Sequence, residues 1–401
     1  MSGVRAAGIQ LVDNPQACRG APYAADERQG FDPSAAERAR QALRSWRDYA
    51  PTPLVSLREL AASLGVQDVV AKDEGARTDL GSFKALGGAY ALSERLKARV
   101  AQETGDHEVT IEDLERGAYE EVTRRVVATC ASDGNHGRSV AWGARRFRCG
   151  CIVYLPKSVS RRRAEAIEAY GAQVVWVDGN YDDAVRLAAA DAAEHGREVI
   201  SDTSSPHYQD IPRQVMAGYS LLFEEALEQM PEPPTHVFVQ VGCGALAAVA
   251  AGYFWSRLGA QRPTIIAVEP VNAACLLETV QAGDLAVVGG DHATIMGGLA
   301  CGEVSFVAWK VLRGGLDHAI AMADEHALRA MRLLGRGLLG ERIVAGETGA
   351  AGVGALLALL DEPEALTRLR IGAESRILVV VTEGATDPEL YERLMSEAAA
   401  S

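Results

Sequence analysis

Val237-Phe238-Val239-Gln240-Val241-Gly242-Cys243-Gly244-Ala245-Leu246-Ala247, which runs on almost wholly apolar to Trp255, is the stretch on which the fold turns. It is long enough to cross a bilayer. Pro231, Pro233 and Pro234 precede it, however, and Gln240, Gly242 and Gly244 interrupt its first half. A buried strand over Val237–Val241, a glycine turn and an Ala-rich helix to about Leu258 account for it better. Working outward, the same alternation recurs. Strands are predicted at Val69–Ala71, Val126–Ala128, Cys151–Leu155, Val174–Val177, Val199–Ile200, Thr264–Glu269 and Ile377–Val381. Helices are predicted over Phe83–Arg99, His136–Phe147, Arg161–Tyr170, Tyr181–His195 and Ile211–Met230. Strands alternating with helices imply an α/β fold whose parallel sheets are covered on both faces. In such sheets ligands gather at the carboxyl ends of strands. That rule selects Asp133, Asp202, Gly242 and Thr382 for inspection.

The chain has 401 residues, more than one ordinary domain, with 48% apolar and 23% charged residues. That is the composition of a globular protein and excludes disordered, collagen-like and coiled-coil classes. A net charge of −14 disfavours a nucleic-acid surface. The run Arg161-Arg162-Arg163 reads as a solvated helix start. Seven scattered cysteines make neither a disulfide scaffold nor a zinc site. The start Met-Ser-Gly-Val-Arg-Ala-Ala has no apolar signal core. A reduced cytoplasmic protein, without membrane or nucleic-acid partner and without a metal, is the expectation. The first fifty residues have weak periodicity and are expected to wrap the surface.

Three segments carry chemistry. Gly242-Cys243-Gly244-Ala245-Leu246-Ala247 lies between a strand and a helix, where backbone N–H groups converge and the helix dipole favours an anion. It also fits G-x-G-x-x-A, and Glu269 at the next strand end sits where a ribose-binding acid would be. By itself the hexapeptide leaves a phosphate site, a dinucleotide module and a ligand-free tight turn equally open. In Ser82-Phe83-Lys84-Ala85-Leu86-Gly87-Gly88, Lys84 is one of only five lysines among 40 basic residues. A lysine, unlike an arginine, can lose its proton and form an imine. Between Phe83 and small apolar residues, desolvation would lower its pKa. Taken alone, a surface lysine in a helix's first turn explains it as well. Ser132-Asp133-Gly134-Asn135-His136-Gly137 presents amides to a carboxylate with Asp133 beside them, or is an ordinary cap with Asp-Gly turn chemistry.

Together these segments lose their ambiguity. Ser82-Phe83-Lys84, Gly134-Asn135-His136, the loop 242–245 and Thr382 occur in the order used by the fold-type-II, tryptophan-synthase-β-like pyridoxal phosphate enzymes. Further resembling stretches are Lys72 through Ala91, Ser132 through Trp142, Asn180 through Leu187, Ala293 through Glu303, Gly346-Glu347-Thr348-Gly349-Ala350 and Thr382-Glu383-Gly384. The resemblance spans about Pro51 to Tyr391, and its nearest branch is the diaminopropionate ammonia-lyases. It implies a two-domain fold, with a large cofactor-binding domain of 1–85 plus 218–401, a small domain inserted at 86–217, and pyridoxal 5′-phosphate between them. Lys84 would hold the cofactor as an imine, and Gly242, Cys243, Gly244 and Ala245 would bind its phosphate. Asn135 would contact the ring hydroxyl, Thr382 would hydrogen-bond the pyridine nitrogen, and Glu347 would belong to the same site. Glu269 is then only a strand-end residue.

Asp133 separates the branches: serine and threonine dehydratases carry a small residue there, the diaminopropionate enzymes a carboxylate. A base on the face opposite Lys84 would take the α-proton of the D enantiomer, and Lys84 that of the L. Asp202 matches a second carboxylate, assigned to the β-amino group or the site's shape. The implied reaction is α,β-elimination of D- and L-2,3-diaminopropionate, through an aminoacrylate, to pyruvate and two ammonia. A homodimer is implied as well. The loop Ser204-Ser205-Pro206-His207 departs from the branch, which has an aromatic and an acidic residue there. That departure keeps a related dehydratase or β-replacement enzyme open. His207 reads as a loop histidine in solvent.

Overall fold

The computed structural model describes residues 4–6, 8–132 and 134–396, with side chains from residue 8 on. Its strands are β1 (Val4–Ala6), β2 (Ile9–Asp13), β3 (Leu54–Ser56), β4 (Asp68–Asp73), β5 (Val127–Ala131), β6 (Gly150–Pro156), β7 (Gln173–Val177), β8 (Glu198–Val199), β9 (His236–Gln240), β10 (Thr264–Pro270), β11 (His318–Met322) and β12 (Arg376–Val381). The expected α/β alternation is present. No described helix is long and apolar enough to cross a membrane. The stretch that could have done so is β9, a turn, and the helix Ala245–Leu258, buried from Ala245 to Trp255.

The chain divides into two compact units: Met1–Pro33, Pro51–Phe83 and Leu222–Ser401 form the first, Ser34–Ala50 and Lys84–Leu221 the second. The sequence reading set the division at 85/86 and 217/218 and kept residues 34–50 with the large domain. Those residues instead hold the helix Pro33–Arg44, which buries Ala36, Ala39 and Leu43. After it Trp46 packs against Trp142 with ring centres 5.4 Å apart and planes inclined at 50°, and the Arg146 guanidinium lies against both rings. Ala36, Ala39 and Leu43 recur at helical spacing among charged residues, so the helical period is present in the sequence. The strand β2 also lies within the first fifty residues, which were expected only to wrap the surface.

The first unit contains an eight-stranded sheet in the order β1-β2-β11-β10-β9-β12-β4-β3. The neighbours from β11 to β4 are all parallel, and β2 and β3 join antiparallel at the two sides. Chain order runs outward from β9 through β10 to β11, and β12 returns on the other side of β9. The order therefore reverses between β9 and β12. The second unit contains the parallel sheet β7-β6-β5-β8. Here the order reverses between β5 and β8. Crevices at the carboxyl ends of such reversals are where open α/β sheets bind ligands.

Glycines set how closely the helices of the second unit approach. A Cβ on Gly87 would lie 2.4 Å from the Tyr219 ring, one on Gly88 2.7 Å from Ser139 Oγ, and one on Gly218 2.0 Å from Leu86 O. None of these separations can be met by a real side chain, so the helix that starts after Lys84 packs where it does only with glycine at those positions.

Buried charge ties the first unit together. Lys72, wholly buried at the end of β4, lies 2.8 Å from Glu225 and donates to Thr52 O at 2.7 Å and Gln229 Oε1 at 2.9 Å. Arg77 bridges Glu74 and Glu225, each at 2.8 Å. Burial pushes the Glu225 carboxyl up, but the hydrogen bonds and charge of Arg77, with Lys72 beside it, hold it below its ordinary value. Lys72 is thus a structural lysine. Glu225→Ala is expected to cost about 3–5 kcal/mol, because it leaves two buried cations sharing Glu74. Urea unfolding checks this; a loss under about 1 kcal/mol would refute it.

Candidate active site

In the second unit the site is built where β5 and β8 end side by side, paired at Thr129 and Val199. After β5, Ser132 Oγ accepts the N–H groups of Gly134 at 2.9 Å and Gly137 at 2.8 Å, which folds the turn into the helix Asn135–Phe147. Gly134, at φ 141°, occupies a backbone region that side-chain-bearing residues rarely adopt. A Cβ on Gly137 would lie 2.7 Å from Val153. His136 is buried, and its Nε2 donates to Ile200 O at 2.7 Å just beyond β8. Two residues further on stands Asp202.

Lys84 begins the helix Ala85–Thr104, and its amine forms an ion pair with Asp202. Ser139 Oγ donates to Lys84 O at 2.7 Å, anchoring the backbone from which that amine projects. The amine lies 5.9 Å from the centre of the Tyr219 ring. Tyr181 Oη donates to Asp202 Oδ1 at 3.2 Å, and His136 Nδ1 is 3.7 Å from Asp202 Oδ2. Burial pushes the Asp202 carboxyl up. His136 and Lys84 beside it, and the hydrogen bonds from Lys84 and Tyr181, outweigh burial and hold it well below the usual carboxylate range. A buried carboxylate that stays ionised beside an amine is built to hold nitrogen cations.

In the first unit the corresponding position is the carboxyl ends of β9 and β12. The loop after β9 is closely fitted. A Cβ on Gly242 would lie 2.9 Å from Gly298 O and 3.3 Å from Cys301 Sγ, and Gly244 sits at φ 90°. Cys243 O accepts Ser305 N–H at 2.8 Å. Gly244 caps the helix Ala245–Leu258 without a side chain, so no side chain of the capping residue covers its first turn. Thr382 ends β12, buried, and accepts from Gln240 Nε2 at 3.1 Å. Its carbonyl accepts Phe83 N–H at 3.1 Å, one residue before Lys84, and Ser82 bridges to Glu383. Glu347 is buried in Gly346-Glu347-Thr348-Gly349, where a Cβ on Gly349 would lie 2.3 Å from Glu383 O.

The geometry brings Lys84 and Asp202 together, and it places Thr382 beside the β9 end that carries Gly242, Cys243, Gly244 and Ala245. Asn135 is the first residue of the helix Asn135–Phe147, one residue before the expected start, and Glu347 is buried. Asp133 lies outside the described residues. Glu269 is committed elsewhere: its carboxylate accepts Leu276 N–H at 2.7 Å and Leu277 N–H at 2.8 Å. Burial pushes this carboxyl up to about 8, against the pull of those two bonds. A helix-capping acid in that position is not a ribose-binding one, which removes the structural argument for a dinucleotide module. His207 is exposed in its loop. Tyr181, Ser132, Ser139, Tyr219 and Gln240 are site residues that sequence reasoning missed. Only Gln240 carried a local signal, as a polar residue in an apolar strand.

Comparison with known proteins places the chain in a family. The family model for "Pyridoxal-phosphate dependent enzyme" matches residues 46–383. The diaminopropionate ammonia-lyase of Escherichia coli is 40% identical over 376 residues, covering 92% of each chain. The crystal structure of the holo form of diaminopropionate ammonia lyase from Escherichia coli is similar with a TM-score of 0.88 at 36% identity, covering 98% of this chain and 97% of that one. A crystal structure of the Escherichia coli lyase in complex with an aminoacrylate-PLP azomethine reaction intermediate matches with a TM-score of 0.87 at 36% identity over 98% and 97% of the two chains. The family model matches most of the chain, and the chain belongs to the pyridoxal-phosphate dependent enzyme family.

Proposed function

We propose that this chain is an ammonia-lyase that converts D- and L-2,3-diaminopropionate to pyruvate and two ammonia by α,β-elimination. The observation that carries the substrate is Asp202. A buried carboxylate held ionised against an amine favours a substrate whose β-substituent is an ammonium ion over one bearing a hydroxyl, because the neutral hydroxyl leaves the buried charge unpaired.

The residues present fit pyridoxal phosphate. The loop of Gly242, Cys243, Gly244 and Ala245 excludes side chains at Gly242 and opens on an uncapped helix start, which suits a phosphate. Lys84 offers the amine that would hold the cofactor, Asn135 would meet its ring hydroxyl, and Glu347 would lie in the same site. When bound, the cofactor supplies the electron sink that makes the α-hydrogen acidic. By the family resemblance, Lys84 would take that proton from the L enantiomer and Asp133 would take it from the D enantiomer. Asp202, steadied by Tyr181, holds the β-amino nitrogen in the place where it holds Lys84 here. Thr382 donates to the ring nitrogen. A cytoplasmic homodimer is the working form that the family resemblance supports.

Pyruvate and ammonia are measured from each enantiomer, with L-serine and L-threonine as competitors. Two ammonia per pyruvate from both enantiomers is the expected result. Asp133→Asn is expected to lose about 10²-fold or more in kcat/KM for the D enantiomer only, the size of a lost general base. Faster turnover of L-serine or L-threonine than of diaminopropionate would refute the substrate.

A further inference from the structure

Gln240, the last residue of β9, is almost wholly buried. Its Nε2 lies 3.0 Å from Val380 O, 3.1 Å from Thr348 O, 3.2 Å from Gly349 O and 3.1 Å from Thr382 Oγ1. Its Oε1 has no hydrogen-bond partner among the described residues. Chemistry decides this orientation. Three of the four neighbours are backbone carbonyls, which only accept, so the amide must present its nitrogen to them; turned over, Oε1 would face three oxygens. The register explains why the group reaches Thr382: β9 and β12 are parallel neighbours, paired from His236–Ile377 to Phe238–Val379, so their carboxyl ends lie side by side.

An amide nitrogen donates and does not accept. The Thr382 hydroxyl therefore cannot direct its proton at Gln240, and among the described residues no acceptor takes that proton. A hydroxyl that accepts on one side and has a proton to give on the other is a donor of fixed direction.

We propose that Gln240 is a positioning residue that turns the Thr382 hydroxyl into an obligate donor toward the cofactor's ring nitrogen, and so holds that nitrogen as an unprotonated acceptor. The proposal rests on the reading that Thr382 faces the ring. Its consequence is selectivity of reaction. With the ring nitrogen unprotonated, charge developing at Cα is drawn less into the ring, and expulsion of the β-amino group competes better with return of the proton.

The test uses holoenzyme loaded with pyridoxal phosphate carrying ¹⁵N in the ring. Gln240→Leu removes the amide, and with it the N–H that Thr382 accepts. Gln240→Met removes the donor as well while filling the space, and leaves the direction of the Thr382 hydroxyl unfixed. Both are expected to move the ring-nitrogen signal to the position seen in Thr382→Val. Both are also expected to weaken cofactor binding by the apoenzyme about ten-fold, the loss of one hydrogen bond. Thr382→Ser is expected to keep the wild-type signal. A purely structural Gln240 would lower the melting temperature and leave the nitrogen signal unmoved, and that result overturns the proposal. Either variant suffices if the other does not fold. A wild-type chain that takes up no pyridoxal phosphate overturns the functional reading itself; one that takes it up while the Gln240 variants keep the wild-type signal overturns only the role of Gln240.

Discussion

Lys84→Ala is expected to be inactive, with kcat/KM for both enantiomers of 2,3-diaminopropionate down about 10³-fold or more, the combined loss of a nucleophile and a general base. It is also expected to be colourless after purification with pyridoxal phosphate, whereas the wild type is yellow and, after borohydride reduction, carries the label on the peptide containing Lys84. The companion variant Lys84→Arg separates two roles. Arginine can keep the ion pair with Asp202, which in this structure joins it to the lysine amine. It stays protonated and cannot act as a nucleophile. Equal inactivity in the two variants assigns the loss to the amine's chemistry. If Lys84→Arg retained more than about a tenth of the wild-type rate, a scale on which general bases contribute 10²–10⁴-fold, charge alone would suffice and the role given to Lys84 would be wrong.

Asp202→Asn is the second large effect. The carboxylate accepts from Tyr181, contacts the Lys84 amine and lies 3.7 Å from His136. Asparagine keeps the shape and removes the charge, so the β-ammonium loses its counter-ion. We expect kcat/KM to fall about 10²–10⁴-fold for both enantiomers, the range of a lost acid–base or charge-stabilising group. That symmetry distinguishes it from Asp133→Asn, which is expected to spare the L enantiomer. Activity toward a substrate with a neutral β-leaving group is expected to fall less, because no cation has to be matched. Measuring both enantiomers beside such a substrate checks the assignment; an equal loss on all of them would make Asp202 a general structural support of the site.

The candidate site residues that the sequence offers share one character. Lys84, Asn135, the glycines at 242 and 244, and Thr382 each lie where a predicted element begins or ends. Local pattern finds such places: a strand-to-helix turn that needs glycine, a lysine among small apolar residues, an acid at a strand's carboxyl end. The long apolar elements were legible for the same reason. The helix Tyr181–His195 was predicted with the bounds it has. The helix Pro33–Arg44 carries its apolar stripe of Ala36, Ala39 and Leu43 among charged residues, a helical period that the expectation of a surface-wrapping segment passed over. Glu269 shows the converse error that local pattern invites. Its spacing from the glycine loop suits a ribose-binding acid, yet its carboxylate is spent on the backbone of Leu276 and Leu277.

The residues themselves therefore determined the α/β class and the family motifs, since each follows from short-range periodicity and turn chemistry. Tertiary structure alone decided which groups work on one another. Asp202 meets Lys84 across 118 positions of sequence, Tyr181 steadies it, and Gln240 reaches Thr382 across 142. The physical reason is strand order. β8 lies beside β5, and β12 beside β9, because each returns to the far side of the first strand of its series. Nothing in the local sequence of those strands states which neighbour they take; the sheet settles it, and with it which strand ends share their side chains.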